Sequence, residues 1–210
     1  MGNRCTMRSR AVCGVHMKLA IIPARGGSQR IPRKNIRHFH GRPIIEYSIS
    51  LAQRCSLKVY VSTEDAEIAQ IAKDYGAAVI QRPFELARDE VGTQEVMRHA
   101  LQSLGLRYGR AACIYPCAPL LDPEYIKAGE DCKRYAVAVG TRPLRDCGAF
   151  YWGRVQDFIN RVPLYTADTR IIPLHEDDAV DINTEEDWVL AEHRYALKRR
   201  LLSEIRIALP

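Results

Sequence analysis

A short segment near the start of the chain combines residue types that bind phosphate. Residues 20–35 read AIIPARGGSQRIPRKN, an apolar run that ends at a proline and is followed by two glycines, a serine and an asparagine. The segment also carries four cations: Arg25, Arg30, Arg33 and Lys34. Glycine lets backbone N–H groups approach an anion closely, and arginine can grip two phosphate oxygens at once. A glycine turn with surface cations would explain any one residue, but the whole stretch favours an anionic ligand.

The elements that would position this loop alternate between strand and helix. The predicted strands are 19–23, 57–62, 77–80, 111–115, 135–139, 149–153 and a strand ending at 179–183. The predicted helices begin at Pro43, after the N-caps Ser62 and Thr63, near 93, 123 and 154, and after the N-cap Thr184. Such alternation with short links predicts a mostly parallel α/β sheet covered on both faces. Ligands of such sheets sit beyond the carboxyl ends of the strands, where the loop at 24–35, the turn at 62–65, the Arg82 loop and residues 115–119 should meet.

Length and composition favour one globular domain. The chain has 210 residues, of which 47% are hydrophobic. Residues 1–16 carry three arginines without an apolar core, so we expect a disordered extension rather than a secretory signal. The domain should occupy residues 17–210. No apolar stretch approaches the roughly 20 residues needed to span a bilayer, which predicts a protein without membrane contact.

Charge and cysteine content limit the classes of partner. The net charge is +6 and the isoelectric point about 9.0. A basic chain can bind nucleic acid, but no stripe interleaves basic and aromatic residues. A solvated C-terminal helix face is therefore preferred over a nucleic-acid partner. The seven cysteines include no CxxC pair, which favours free thiols in a reducing cytoplasm over a zinc site or disulfides.

Six ordered motifs make the sequence resemble a known family. ARGGSQRIPRKN closely resembles the N-terminal signature of the cytidylyltransferases that activate nonulosonic, sialic-acid-like sugars. The other matching stretches are VSTEDAEIAQIAKDYGA, RPFELARDEVGT, CIYPCAPLL, DCGAFYWG and DINTEEDW. The IYP and FYW variants tilt the resemblance towards enzymes for pseudaminic acid. The resemblance covers roughly residues 17–192.

The resemblance implies a Rossmann-like, three-layer nucleotidyltransferase domain and a reaction. The anomeric hydroxyl of the acidic sugar would attack the α-phosphate of CTP, giving the CMP-sugar and pyrophosphate. Arg25 and Lys34 would bind the triphosphate and, with Asp181, form the catalytic set. The expected nucleotide contacts are Ala24, Arg25, Gly26, Gly27, Ser28, Lys34, Asn35, Arg82, Tyr115 and Pro116.

Magnesium is the expected cofactor, because a hard divalent cation prefers carboxylate oxygens and keeps several waters. Asp181 is the predicted ligand and Asn183 its partner, since side chains at i and i+2 share one face of a strand. The relatives carry aspartate where this chain has Asn183. Asn183 and Thr184 could also simply cap the last helix, and both roles are compatible.

The sugar side departs from the family. Only GTRPLRD (140–146) joins two strands that a longer insertion separates in relatives, where it contacts sugar and builds a dimer. The predicted sugar contacts are Arg142, Arg145, Asp146, Phe150 and Tyr151, although Phe150 could equally be core. A homodimer is expected but is placed in doubt by the short link. Cys117 replaces a hydroxyl residue, and a nucleophilic role for it is disfavoured because no histidine lies near it in sequence.

Three alternatives remain open. The acid could be legionaminic acid, sialic acid or a smaller 2-keto acid. The chain could be a non-catalytic CTP-binding relative that lost sugar activation. It could also bind nucleic acid, which would be salt-sensitive and largely independent of Arg25.

Overall fold

The computed structural model describes residues 17–141 and 144–208. Its strands are β1 (Lys18–Pro23), β2 (His38–Phe39), β3 (Arg42–Pro43), β4 (Lys58–Thr63), β5 (Ala78–Gln81), β6 (Arg110–Ile114), β7 (Tyr135–Thr141), β8 (Leu144–Arg154) and β9 (Arg170–Leu174). Its helices are α1 (Ile44–Arg54), α2 (Ala66–Asp74), α3 (Thr93–Ser103), α4 (Pro123–Gly129), α5 (Val155–Ile159) and α6 (Glu185–Ala208). Single 3₁₀ turns lie at Lys34–Ile36 and Phe84–Ala87. The predicted extension at 1–16 falls outside the described residues.

A mostly parallel sheet forms the centre of the described part of the chain. Its seven strands follow the order β5-β4-β1-β6-β8-β7-β9. Strand β8 runs antiparallel to both of its neighbours, and the other pairings are parallel. This confirms the predicted fold class.

The two faces of the sheet are each covered by helices. In β1, Ala20 and Ile22 point to the face covered by α1, α2 and α4, whereas Leu19 and Ile21 point to the face covered by α3 and α5. Because both faces are buried, β1 reads as a continuous apolar run rather than an alternating one. The expected three-layer arrangement is therefore present.

A third apolar cluster fastens α6 to the loops beyond the carboxyl ends of the strands. Ile31 of the cationic loop, Ile182 and Trp188 are all buried in it, together with Phe39. The Arg37 guanidinium lies 4.4 Å from the centre of the Trp188 ring. This packing brings the segment around residue 182 to the cationic loop, although the two are far apart in sequence.

The predicted strand at 179–183 is wrong. These residues form no strand, and the edge strand β9 lies upstream at Arg170–Leu174, paired with β7. The inference that Asp181 and Asn183 share a strand face therefore fails. Pro173 sits within β9, a position that an edge strand tolerates.

The helix caps are partly as predicted. Thr184 caps α6, because its hydroxyl accepts from the Asp187 amide at 3.2 Å while Asp187 Oδ2 accepts from the Thr184 amide at 2.8 Å. This is a capping box. Ser62 and Thr63 do not cap α2. Asp65 does, through bonds of 3.0 and 2.9 Å from the Glu67 and Ile68 amides.

Strands β7 and β8 pair with each other on both sides of the short link. Residues 140–141 belong to β7 and residues 144–146 to β8, with Gly140 opposite Arg145 and Thr141 opposite Leu144. The predicted linker GTRPLRD is thus mostly strand. The predicted homodimer stays a prediction, since the structure comprises one chain. Within the described residues no helix combines the length and apolar character needed to cross a membrane.

Candidate functional site

A cavity of about 740 Å³ opens at the carboxyl ends of β1 and β6. It gathers segments that are widely separated in sequence. Its walls include the following residues from the predicted site: Arg25, Ser28, Lys34, Asn35, Arg82, Tyr115, Pro116, Asp181 and Asn183. The cavity also includes Cys117 and Gly148. These groups therefore meet at the carboxyl-end edge of the sheet, where the sequence predicted a ligand site.

Asn35 fixes the cationic loop from within. It is buried, and its Nδ2 donates to the Arg25 carbonyl at 2.8 Å. Its Oδ1 accepts from the Cys117 thiol at 3.3 Å. Lys34 Nζ donates to the Ile182 carbonyl at 2.5 Å. Asn35 and Lys34 thus tie the loop to both other walls of the cavity.

Two of the four cations of the loop are paired with carboxylates. Arg25 forms a salt bridge with Asp89. Arg33 bonds Asp65 at 2.5 and 3.0 Å and Glu67 at 2.6 Å, and these bonds hold the pKa of the Asp65 carboxyl below its ordinary value. Arg33 therefore joins the loop to the start of α2. Arg30 lies exposed at the cavity wall.

Glu64 is a site residue that the sequence did not single out. Its Oε1 accepts from the Gly26 amide at 2.7 Å, and its Oε2 accepts from Arg82 at 2.7 Å. The Glu64 and Arg82 side chains are 6% and 3% exposed, so the pair is nearly desolvated and removal of one partner would strand a buried charge. The Gly26 amide, predicted to cradle phosphate, is occupied by this carboxylate. In the sequence, the only indication of a role for Glu64 was that it is an acidic residue near the start of α2.

The two glycines of the loop have different roles. A Cβ at Gly26 would clash with Asp65 Oδ2, whereas a Cβ at Gly27 would meet nothing within 4 Å. Because Arg33 and two backbone amides hold the Asp65 carboxylate in place, it cannot move aside without losing bonds. Gly26 is required by close approach, and Gly27 is not.

This difference yields a matched pair of variants. We expect Gly26→Ala to lower the free energy of unfolding by about 1–2 kcal/mol, because it disturbs the α2 cap. Gly27→Ala should change it by less than about 0.5 kcal/mol. Urea denaturation of both variants measures the difference, and equal losses would show that the Asp65 contact does not constrain Gly26.

Burial makes the two reactive-looking side chains near β6 unsuited to acid–base or nucleophilic work. It raises the pKa of the Cys117 thiol to about 12, so the thiol stays protonated at neutral pH. Burial likewise raises the pKa of Tyr115. Tyr115 instead shares a 2.5 Å hydrogen bond with the Thr93 hydroxyl, and its carbonyl accepts from Ser48 at 2.7 Å. Both residues shape the cavity wall.

Asp181 and Asn183 line the cavity from an irregular segment rather than from the predicted strand. In the part of the chain that the structure describes, the Asp181 carboxylate makes neither a salt bridge nor a side-chain hydrogen bond to protein. Within that same part, no cluster of three or more His, Cys, Asp and Glu side chains is arranged to hold a metal. Two oxygen donors therefore fit a magnesium ion that takes its other ligands from phosphate and water, and do not fit an all-protein metal cage.

The predicted sugar contacts lie in four different environments. Arg142 lies outside the described residues. Arg145 is exposed on β8. Phe150 is fully buried in the core cluster that includes Trp152, and Tyr151 is 5% exposed. Asp146 lies beside the Gly148 turn, and its carboxylate accepts from protein donors.

Of the predicted nucleotide contacts, Ala24 is buried, and Gly26 and Gly27 line a separate shallow surface with Phe84.

Comparison with known proteins decides the family. The profile of the cytidylyltransferase family matches residues 19–132, more than half of the chain. The chain belongs to the cytidylyltransferase family. This confirms the predicted resemblance and, at the level of the family, the predicted CTP-dependent nucleotidyltransferase. The cationic loop, Arg82, Tyr115 and Cys117 all fall inside the matched residues.

Two relatives match the chain with different identity and over different lengths. A pseudaminic acid cytidylyltransferase of Campylobacter jejuni serotype O:2 is 44% identical over 115 residues, which are 52% of this chain and 50% of that protein. The alignment thus spans half of that relative's length. The pseudaminic acid cytidylyltransferase of Campylobacter jejuni serotype O:23/36 is 28% identical over 221 residues, covering 84% of this chain and 95% of that protein.

A solved structure supports the fold alone. A CMP-2-keto-3-deoxy-manno-octonic acid synthetase complexed with CTP superposes with a TM-score of 0.67 at 14% identity. The superposition covers 88% of this chain and 99% of that one.

Proposed function

We propose that this chain transfers a cytidylyl group from CTP to a nonulosonic acid, with pseudaminic acid as the preferred acceptor. The anomeric hydroxyl oxygen forms the new bond to the α-phosphorus, and the bond from that phosphorus to the bridging oxygen breaks. Pyrophosphate leaves with the bonding electrons, and the hydroxyl proton passes to solvent. The chain forms no covalent intermediate.

The observation that carries this proposal is one cavity with cations on one wall and oxygen-bearing side chains on another. Arg25 and Lys34 face the same space as Asp181 and Asn183. Cations stabilise a triphosphate and the charge that grows on leaving pyrophosphate. Membership of the cytidylyltransferase family supports CTP as the nucleotide.

Magnesium fits this arrangement when bound by Asp181 and Asn183. The ion would neutralise charge on the phosphate oxygens. The protein's own contribution is to orient these two donors. The Asn183 and Thr184 amides both donate to Asp187 Oδ2, at 2.9 and 2.8 Å, and Ile182 is buried beside them. The capping box of α6 therefore also holds the ligand segment in place.

The choice of pseudaminic acid rests on the names of the relatives. The two described above are named for that acid. Other relatives are named for different acceptors: an N-acylneuraminate cytidylyltransferase of Escherichia coli is 29% identical over 198 residues. A CMP-N,N'-diacetyllegionaminic acid synthase of Legionella pneumophila is 26% identical over 231 residues. These names favour a nonulosonic acid as the class and keep sialic and legionaminic acid as the second candidates. A cytoplasmic location and a homodimer stay predictions.

A panel assay tests the acceptor. Pyrophosphate release is measured with CTP, Mg²⁺ and each of pseudaminic, legionaminic, N-acetylneuraminic and 2-keto-3-deoxy-manno-octonic acids. We expect the highest kcat/KM with pseudaminic acid. A higher value with another acid would overturn the acceptor and keep the chemistry, and no release with any acid would favour the non-catalytic CTP-binding alternative.

Restoring the second carboxylate should tighten metal binding. We expect Asn183→Asp to lower the Mg²⁺ concentration at half-maximal rate by about tenfold, because a charged oxygen binds a hard cation more strongly than an amide oxygen. Titration calorimetry with Mg²⁺ and CTP gives a second reading. An unchanged Mg²⁺ dependence would place the metal away from Asn183.

A further inference from the structure

Strand β8 is interrupted where it passes the cavity. Its register against β7 jumps between the pairs Val137–Tyr151 and Val139–Asp146, so residues 147–150 bulge from the ladder. Gly148 adopts φ +56° in this bulge and lines the cavity. A Cβ at Gly148 would lie 3.8 Å from Asp181 Oδ1. The bulge therefore places backbone beside the proposed metal ligand, a use that bulges near active sites often have.

The Asp146 carboxylate ties three segments together at this point. It accepts from the Gly148 amide at 2.9 Å, from the Tyr151 hydroxyl at 2.6 Å and from the Tyr165 hydroxyl at 2.7 Å. The ring of Tyr151 in turn packs edge-on against Tyr115, 5.9 Å between centres, and Tyr115 lines the cavity. Asp146 is exposed and thus links Tyr165 to Gly148 and to Tyr151, the ring that packs on Tyr115.

Tyr165 belongs to a loop, residues 160–169, that is also fastened to the start of α3. Gln94 Nε2 donates to the Val162 carbonyl at 2.6 Å, and Arg161 forms a salt bridge with Glu95 at 2.7 Å. The preceding residue of α3, Thr93, lines the cavity. The loop therefore runs from the start of α3 to Asp146, and its partners there are close in sequence to the cavity residues Thr93 and Gly148.

We propose that Asp146 is a positioning residue for the acceptor, and that the 160–169 loop, held to it through Tyr165, forms the acceptor-side edge of the cavity. Asp146 does not contact the acidic sugar, because its oxygens already accept from protein donors and two carboxylates would repel. It sets Gly148 beside Asp181 and holds Tyr165, which is 52% exposed, at the edge. The proposal rests on the proposed cytidylyl transfer.

The test compares Tyr165→Phe, Asp146→Ala and the double variant, with Tyr108→Phe as the control. Tyr108 is 74% exposed and precedes β6 at the opposite end of the sheet. We expect the two single variants to raise the acceptor KM by about tenfold, since each breaks a charge-assisted hydrogen bond. The KM for CTP and kcat should stay within about twofold. The double variant should be no worse than Asp146→Ala, because both changes remove one contact.

Hydrogen exchange, read together with the acceptor KM, distinguishes a residue that positions the acceptor from one that only holds the loop in place. Amides of residues 160–169 should exchange faster in Tyr165→Phe and Asp146→Ala than in wild type. Faster exchange with an unchanged acceptor KM would overturn the positioning role, as would equal rises in the KM for CTP and acceptor. If the wild-type protein is active and Tyr165→Phe has the same kinetics, this inference is refuted and the proposed function stands. An absence of wild-type turnover in the same assay would refute the proposed function and the inference with it.

Discussion

Replacing Lys34 by methionine should lower kcat/KM for CTP by about 10³-fold. Lys34 Nζ lies at the cavity wall, where it donates to the Ile182 carbonyl at 2.5 Å. Methionine keeps the apolar stem and removes the charge. The variant therefore loses a cation at the phosphates and also loosens the segment that carries Asp181 and Asn183. Steady-state kinetics with varied CTP measure the effect.

The control for this variant is Lys58→Met. Lys58 is an exposed lysine at the amino end of β4, whereas the cavity opens at the carboxyl ends of the strands. Its replacement should therefore leave kcat/KM within about twofold. Circular dichroism and thermal unfolding of both variants establish that each is folded. If Lys34→Met retained wild-type kinetics, the cationic loop would not be the triphosphate site.

Replacing Asp181 by alanine should abolish turnover while sparing nucleotide binding. We expect kcat to fall by about 10³-fold, because the carboxylate that would hold the metal is gone. CTP affinity measured without Mg²⁺ should stay within about threefold, since Arg25 and Lys34 remain in place. Within the described residues the Asp181 carboxylate makes no hydrogen bond or salt bridge to protein, so stability should change little.

Asp131→Ala serves as the matched control, because Asp131 is exposed after α4 and does not line the cavity. It should keep the wild-type kcat and Mg²⁺ dependence. Loss of CTP binding in the Mg²⁺-free Asp181→Ala protein would mean that Asp181 contacts nucleotide directly. Unchanged turnover would remove Asp181 from the mechanism.

The cationic loop could be predicted because its evidence is local. Glycines, cations and Asn35 sit within one short stretch, and the apolar run before them marks a buried strand. Alternation of strands and helices then predicted the sheet edge where this loop meets Tyr115. Family resemblance added the reaction and the distant Asp181, which spacing alone would not connect to the loop.

Two features depended on tertiary partners and were missed. Residues 179–183 alternate like a half-buried strand, but Ile182 is buried against Trp188 and Ile31 rather than in a sheet. The sheet edge is completed instead by β9. The pairing of cations was equally invisible, because Glu64, Asp65 and Asp89 reach Arg82, Arg33 and Arg25 only after the chain has folded.

The ion pairs of the site also suggest how the nucleotide enters. Arg25 is held by Asp89 from the loop before α3, and in the proposed mechanism a triphosphate would compete with that carboxylate for the guanidinium. The pair is partly exposed, so its contribution to stability is at most about 1 kcal/mol. A bound phosphate can therefore displace Asp89 at little energetic cost, whereas the buried Glu64–Arg82 pair should persist.

The most direct test of cytidylyl transfer is the mass of the product. The full chain is incubated with CTP, Mg²⁺ and pseudaminic acid, and the products are identified by mass spectrometry while pyrophosphate is counted. The predicted result is one CMP-pseudaminic acid for each pyrophosphate released, with neither formed when the acid is omitted. CTP that binds but is not consumed with any nonulosonic acid, or pyrophosphate released without a CMP-sugar, would contradict the account.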